Sequence, residues 1–198
     1  MKTILGKLLY AAAFCLAVPA LLGLWAIRLE PKLHALPRLQ SLPAGALLAA
    51  AGTALMLRGM WDLWRRGGGL PMNAFPPPRW VATGAYRWLP HPIYVGFGLL
   101  VPGLAVATGS GAGLWAVTPV TWLALVTLVI GYERIGLQRR FGSAPLRPLL
   151  SLPPAGPDKP TAVQRIAVLV LAFTPWLLAY EACVLLGPPK AAVDTMLP

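Results

Sequence analysis

Residues 92–133 read PIYVGFGLLVPGLAVATGSGAGLWAVTPVTWLALVTLVIGYE, and the single charge in this stretch is its last residue, Glu133. Two apolar runs, Pro92–Thr108 and residues 114–132, flank the turn Gly109-Ser110-Gly111-Ala112-Gly113. Each approaches the roughly 20 helical residues that cross a hydrocarbon core. Backbone groups in lipid must be hydrogen-bonded within their own segment, and no long alternating polar/apolar pattern supports a barrel, so the stretch reads as a helical hairpin. With equal rise on both arms, residues whose numbers sum to about 222 lie at one depth. His91 and Glu133 sum to 224. The hairpin therefore carries both to the same mouth, although the chain separates them widely.

Working outward, three more stretches have the same character: residues 8–27, 42–63 and 162–186. The fold expected is all-α, an integral membrane bundle of about five transmembrane helices. The composition agrees, with 57% hydrophobic and 12% charged residues in 198, too little polar surface for a soluble domain. The first apolar run is too long for a signal peptide and reads as an uncleaved span. Cys15 and Cys183 sit inside apolar runs with no metal-ligand spacing, so no metal site and no disulfide framework is expected.

The net charge of +11 is unevenly placed. Arg65, Arg66, Arg79 and Arg87 lie between spans two and three, and Arg134, Arg139, Arg140, Arg147, Lys159 and Arg165 lie between spans four and five. The glycine turn at 109–113 has none. By the positive-inside rule the basic segments and the N-terminus are cytoplasmic and the glycine turn is outside, with Arg28, Lys32 and Arg38 arguing mildly the other way. No basic stripe with interleaved exposed aromatics is present, so nucleic acid is not an expected partner.

The segment from Gly67 to Pro92 holds three consecutive glycines, the run Pro76-Pro77-Pro78, and Pro90. It cannot be a continuous helix and must run as extended or turn structure, while Phe75, Trp80, Tyr86 and Trp88 argue against disorder. Connections of this length usually serve a function. At its end Pro92 makes a good first helical residue and His91 falls at the N-cap, where free N–H groups and the helix dipole favour an anion. Tyr94 lies one turn further in. A mouth with an anion-binding helix end, the carboxylate of Glu133 and aromatic rings suits a zwitterionic sulfonium donor: its carboxylate to Arg, His and N–H groups, its amine to Glu133, its sulfonium near a ring face.

Several motifs then occur in order: Gly69-Leu70-Pro71, Pro76-Pro77-Pro78-Arg79-Trp80-Val81, Thr83-Gly84-Ala85-Tyr86-Arg87, His91-Pro92-Ile93-Tyr94-Val95-Gly96, and Glu133 with Leu137 and Phe141-Gly142. This series resembles the signature of the isoprenylcysteine carboxyl methyltransferase and phospholipid methyltransferase superfamily. The resemblance implies a membrane helix bundle whose cytoplasmic Pro/Gly-rich loop wraps S-adenosylmethionine, with a lipidic or hydrophobic small-molecule acceptor entering from the bilayer. Carried over, His91, Tyr94, Glu133, Gly84, Tyr86, Arg87, Pro92 and Gly96 form the cofactor site, with Glu133 and Arg87 the catalytic candidates. The sequence departs from the family pattern at Pro90, where a basic residue is usual, at Arg134, where a second glutamate is usual, and after Phe141-Gly142.

Plainer readings stand beside these. Glu133 alone would serve as a headgroup partner of Arg134 or Arg139, the tryptophans as an interfacial belt, and Arg58 with Asp62 as an intrahelical pair, with a cofactor role as the lesser alternative. The expected division is residues 1–66 as two N-terminal spans, 67–142 as a methyltransferase-like core, 143–161 as a linker and 162–198 as a last span and tail. The abrupt end suggests a fusion to, or association with, another membrane domain. The function expected is methyl transfer to a membrane-embedded lipid or isoprenoid-type acceptor in a bacterial inner membrane. The alternative is a non-enzymatic assembly or transport subunit keeping the fold.

Overall fold

The structure is a computed structural model that describes residues 2–70 and 76–142, with isolated helical positions between 163 and 185. Among the described residues it is all α, with no strand. The linker, most of the fifth expected span and the tail lie outside them.

The chain begins with α1 (Lys2–Ala12), a widened turn at Ala13–Ala17 and α2 (Val18–Leu29). Next comes α3 (Leu42–Asp62), widened over Leu63–Gly67, then the Pro-rich loop with a short 3-10 turn at Gly84–Arg87. The hairpin is α4 (Pro92–Thr108), a widened turn at Gly113–Val117, α5 (Thr118–Leu128), a second widened turn at Val129–Glu133, and α6 (Arg134–Phe141). Leu42–Gly67 and Gly113–Phe141 are long and apolar enough to cross a membrane, while Cys15–Leu29 and Pro92–Thr108 are shorter apolar helices. The boundaries of α4 coincide with those expected despite Pro102 within it. Ser41 starts α3 by accepting a hydrogen bond from the Ala44 amide at 3.4 Å, and Pro43 suits that first turn. Gly109, at φ 69°, ends α4 in the left-handed conformation that glycine adopts without cost.

The tightest packing is between α3 and α4, and it rests on glycines at heptad spacing. A Cβ on Gly52 would stand 2.5 Å from the Gly96 carbonyl oxygen, and one on Gly103 would stand 2.5 Å from the Ala49 nitrogen. Gly45 likewise faces the backbone of Ala107, and Gly59 faces Ile93. Such backbone contact is how apolar helices associate when lipid removes the usual hydrophobic drive. Met56, Ile93, Phe97 and Val117 fill the space beside this seam.

At the end of the bundle that holds the glycine turn, Glu30 fastens α2 to the hairpin tip. Its carboxylate accepts hydrogen bonds from the Ser110 hydroxyl (2.7 Å) and the amides of Gly111 (3.3 Å) and Ala112 (3.1 Å), and it pairs with Arg38 at 3.3 Å. These are the orphan donors of a helix start, met by a carboxylate at the positive end of the dipole. Burial pushes the Glu30 carboxyl up, but the Ser110, Ala112 and Gly111 hydrogen bonds and the Arg38 charge outweigh it, and the net shift is downward. The indole of Trp115 donates to the Pro37 carbonyl at 2.7 Å, closing the same end.

Candidate functional site

The opposite end is assembled from the Pro-rich loop and the ends of α3, α4 and α6. The loop is held at three points. Lys7 of α1 donates to the Gly68 carbonyl at 2.7 Å. Pro77 and Val81 pack on Gly67, where a Cβ would meet each at 3.0 Å. Asp62, the last residue of α3, accepts a hydrogen bond from the Ala85 amide at 2.9 Å. Gly84, at φ 67°, lies so close to the Asp62 carboxylate that any side chain there would collide with it. Over its described residues, up to 70 and from 76 on, the loop is therefore extended and turning, as its prolines require.

Between loop and helices lies a cavity of about 720 Å³, within the range of small-molecule sites. Tyr86 and Trp80 line it from the loop, Tyr94 from α4, and Glu133, Gly136 and Phe141 from the end of the hairpin. Trp80 and Phe141 meet edge to face, with centroids 5.7 Å apart. Arg79, Arg139 and Arg140 add positive charge at the rim. Glu133 sits in the widened turn Val129–Glu133, the kind of local helix defect that often occurs at functional positions.

The approach that the hairpin register demands is present: His91 Nδ1 lies 3.8 Å from Glu133 Oε2. Burial, and then the positive charge of Arg134, push the His91 imidazole down to about 4. At neutral pH it is therefore uncharged, and its contact with Glu133 is not an ion pair. The Tyr94 ring lies 5.9 Å from that of His91, and its hydroxyl faces the Glu133 carboxyl group. Burial, and the nearby charges of Glu133 and Asp62, raise the Tyr86 phenol, which stays protonated. Two buried polar atoms at this cavity, Glu133 Oε2 and Trp80 Nε1, have no hydrogen-bond partner among the described residues. One is an acceptor and the other a donor. Such atoms are costly unless something meets them.

Of the residues singled out in the sequence, Tyr86, Tyr94 and Glu133 line the cavity, and His91 stands directly behind Glu133. Gly84 lies against Asp62, at the root of the loop. Pro92 is buried against Gly59, and Gly96 against Gly52 and Met56 in the helix seam. Arg87 is exposed at the end of the 3-10 turn and does not line the cavity. Two further walls, Phe141 and Trp80, come from residues that the sequence alone marks only as a motif end and an interfacial tryptophan. Trp61 and Trp88, 53% and 61% exposed, do fit such a belt. The aromatic pair itself could have been suspected, because each partner belongs to one of the ordered motifs. Among the described residues no cluster of metal-ligating side chains occurs.

Comparison with known proteins gives one family. No curated protein matches the chain, and neither does any solved structure. The family model of the phospholipid methyltransferases matches residues 41–144, which run from the start of α3 past the end of α6 and contain the whole cavity. The match covers just over half of the chain, and the protein belongs to the phospholipid methyltransferase family, S-adenosylmethionine-dependent enzymes within the superfamily that includes the isoprenylcysteine carboxyl methyltransferases.

Proposed function

We propose that this protein is a membrane methyltransferase that binds S-adenosylmethionine in the cavity at the loop end of the bundle and methylates a lipid or isoprenoid-type acceptor held in the bilayer. The observation that carries this reading is the pair of unmet polar atoms, Glu133 Oε2 and Trp80 Nε1, buried in a cavity between aromatic walls. A buried carboxylate oxygen without a hydrogen bond fits an ammonium group, and an indole N–H fits an acceptor. Arg139 and Arg140 line the cavity and supply charge for a carboxylate, whereas Arg87 does not line it and the neutral imidazole of His91 offers only a hydrogen bond. The faces of Tyr86 and Tyr94 suit a sulfonium.

When bound, S-adenosylmethionine supplies an electrophilic methyl group. The chain's own contribution is position and dryness: Glu133 orients, Trp80 from the loop and Phe141 from the end of α6 close the cavity, and the loop excludes water. An anionic acceptor needs no strong base, which agrees with a neutral His91 and a protonated Tyr86. The positive-inside rule, applied to the basic loops, favours a cytoplasmic mouth with the Glu30 end outside.

Incubating membranes that contain the protein with methyl-labelled S-adenosylmethionine tests the proposal. Label is expected in an extractable lipid and is lost in Glu133→Ala. Label in no fraction would overturn the assignment and favour a scaffold that keeps the family fold.

A further inference from the structure

We infer that Asp62 is a positioning residue for the cofactor site: it latches the Gly84–Arg87 turn to the end of α3 and so sets Tyr86 against the cavity. The inference rests on the reading of that cavity as the cofactor site.

Asp62 is one of the few polar residues buried among the described ones, 1% exposed in a bundle whose core is apolar. Its Oδ2 accepts from the Ala85 amide at 2.9 Å, across 23 positions of sequence, and from Arg58 Nε at 3.2 Å. Arg66 Nε approaches Oδ1 at 3.7 Å. An intrahelical pair needs none of this burial. The side chains of Arg58 and Arg66 are 57% and 44% exposed, so each solvates its charge with or without the carboxylate. What depends on Asp62 is the turn. The Ala85 amide has its partner there, and the positive-φ Gly84 lets the backbone come within reach of the carboxylate, a place that no other residue could occupy. Tyr86 follows directly and lines the cavity, while Asp62 itself does not.

A latch and a general packing role make different predictions. Losing a packing residue at the end of α3 loosens the bundle. Losing a latch frees the turn and leaves the α3–α4 seam, which begins beyond it, intact. Replacing Asp62 by asparagine keeps an oxygen for the Ala85 amide while removing the charge and turning the oxygen that faces Arg66 into an N–H donor.

The experiment uses the whole 198-residue chain in detergent micelles, as wild type, Asp62→Ala, Asp62→Asn and Gly84→Ala. Trypsin cleavage after the exposed Arg79 and Arg87, thermal midpoint and S-adenosylmethionine affinity by titration calorimetry are measured on each. Asp62→Ala and Gly84→Ala are expected to speed loop cleavage at least tenfold and weaken cofactor binding at least tenfold, with Asp62→Asn within threefold of wild type on both. Midpoints stay within a few degrees. Gly84→Ala dislodges the turn without altering α3, so it carries the test if Asp62→Ala does not fold. Wild-type cleavage rates in the alanine variants, or an Asp62→Asn variant as damaged as Asp62→Ala, would overturn the latch. Failure of the wild type to bind the cofactor would overturn the cofactor reading instead, and the cleavage rates would still decide the latch.

Discussion

Two glutamates hold the two ends of the same hairpin, and they are treated in opposite ways. Glu30 meets three donors at the hairpin tip and an arginine besides, so its oxygens have work to do within the fold. Glu133 reaches the other mouth with Oε2 buried and unmet, beside a neutral imidazole and in a cavity whose Trp80 indole N–H is also unmet. A buried polar group that is satisfied stabilises the fold. One left open lowers stability and is kept where a ligand completes it. The contrast separates a structural carboxylate from a binding one, although both look alike in sequence as lone acids at helix ends.

The comparison is broken most forcefully at Glu133. Glu133→Ala should lower methyl transfer at least a hundredfold, roughly 2.7 kcal/mol, with a smaller cost in thermal midpoint, because Oε2 has no hydrogen bond to lose and the Tyr94 hydroxyl loses a single contact. A loss of stability as large as the loss of activity would mean that Glu133 is structural after all. Glu30→Ala should do the reverse. Stripping the cap from the hairpin start is expected to cost about 2 kcal/mol of stability by the standards of helix caps and charged hydrogen bonds, measured by denaturation in micelles. Turnover per folded molecule should stay as in the wild type.

A smaller effect is expected behind the site. His91→Ala should weaken S-adenosylmethionine binding about tenfold, or 1.4 kcal/mol, since it removes a neighbour of Glu133 and not a charge. Acid sharpens the point further. The His91 value of about 4 in the folded protein lies below the ordinary 6.5. The unfolded chain therefore takes up a proton that the folded site resists. This contribution is complete above pH 6.5 and is lost as pH falls toward 4. Denaturation midpoints should decline across that window, and His91→Asn should remove part of the slope. An identical slope in the variant would remove the buried neutral imidazole from the account.

Reading the sequence went furthest where geometry is local and periodic. The depth rule brought His91 and Glu133 together because two apolar helices joined by five small residues have few other ways to run. The boundaries of α4 and the turning course of the Pro-rich loop followed from proline and glycine stereochemistry. The glycine seam stayed invisible: glycines every seventh residue, at 45, 52 and 59, are lost among alanines and leucines until a second helix shows what they touch. Glu30, and the reach of Asp62 beyond its pairing with Arg58, stayed hidden for another reason. Their partners are backbone amides about 80 and 23 residues away, and an amide leaves no trace in the identity of the residue that carries it. Trp80 shows the same limit, since an indole at a membrane boundary reads as a belt residue until Phe141 is seen against it. Motif order located the site, and tertiary contacts decided which motif residues face the cavity and which hold the helices together.

The central claim is that the open carboxylate of Glu133 belongs to a cofactor site. Titration calorimetry of S-adenosylmethionine into the purified protein, beside Glu133→Ala and Glu30→Ala, tests it most directly. Micromolar binding in the wild type and in Glu30→Ala, weakened at least tenfold in Glu133→Ala, is the predicted result. Equal heats in all three proteins, or none in the wild type, would contradict it.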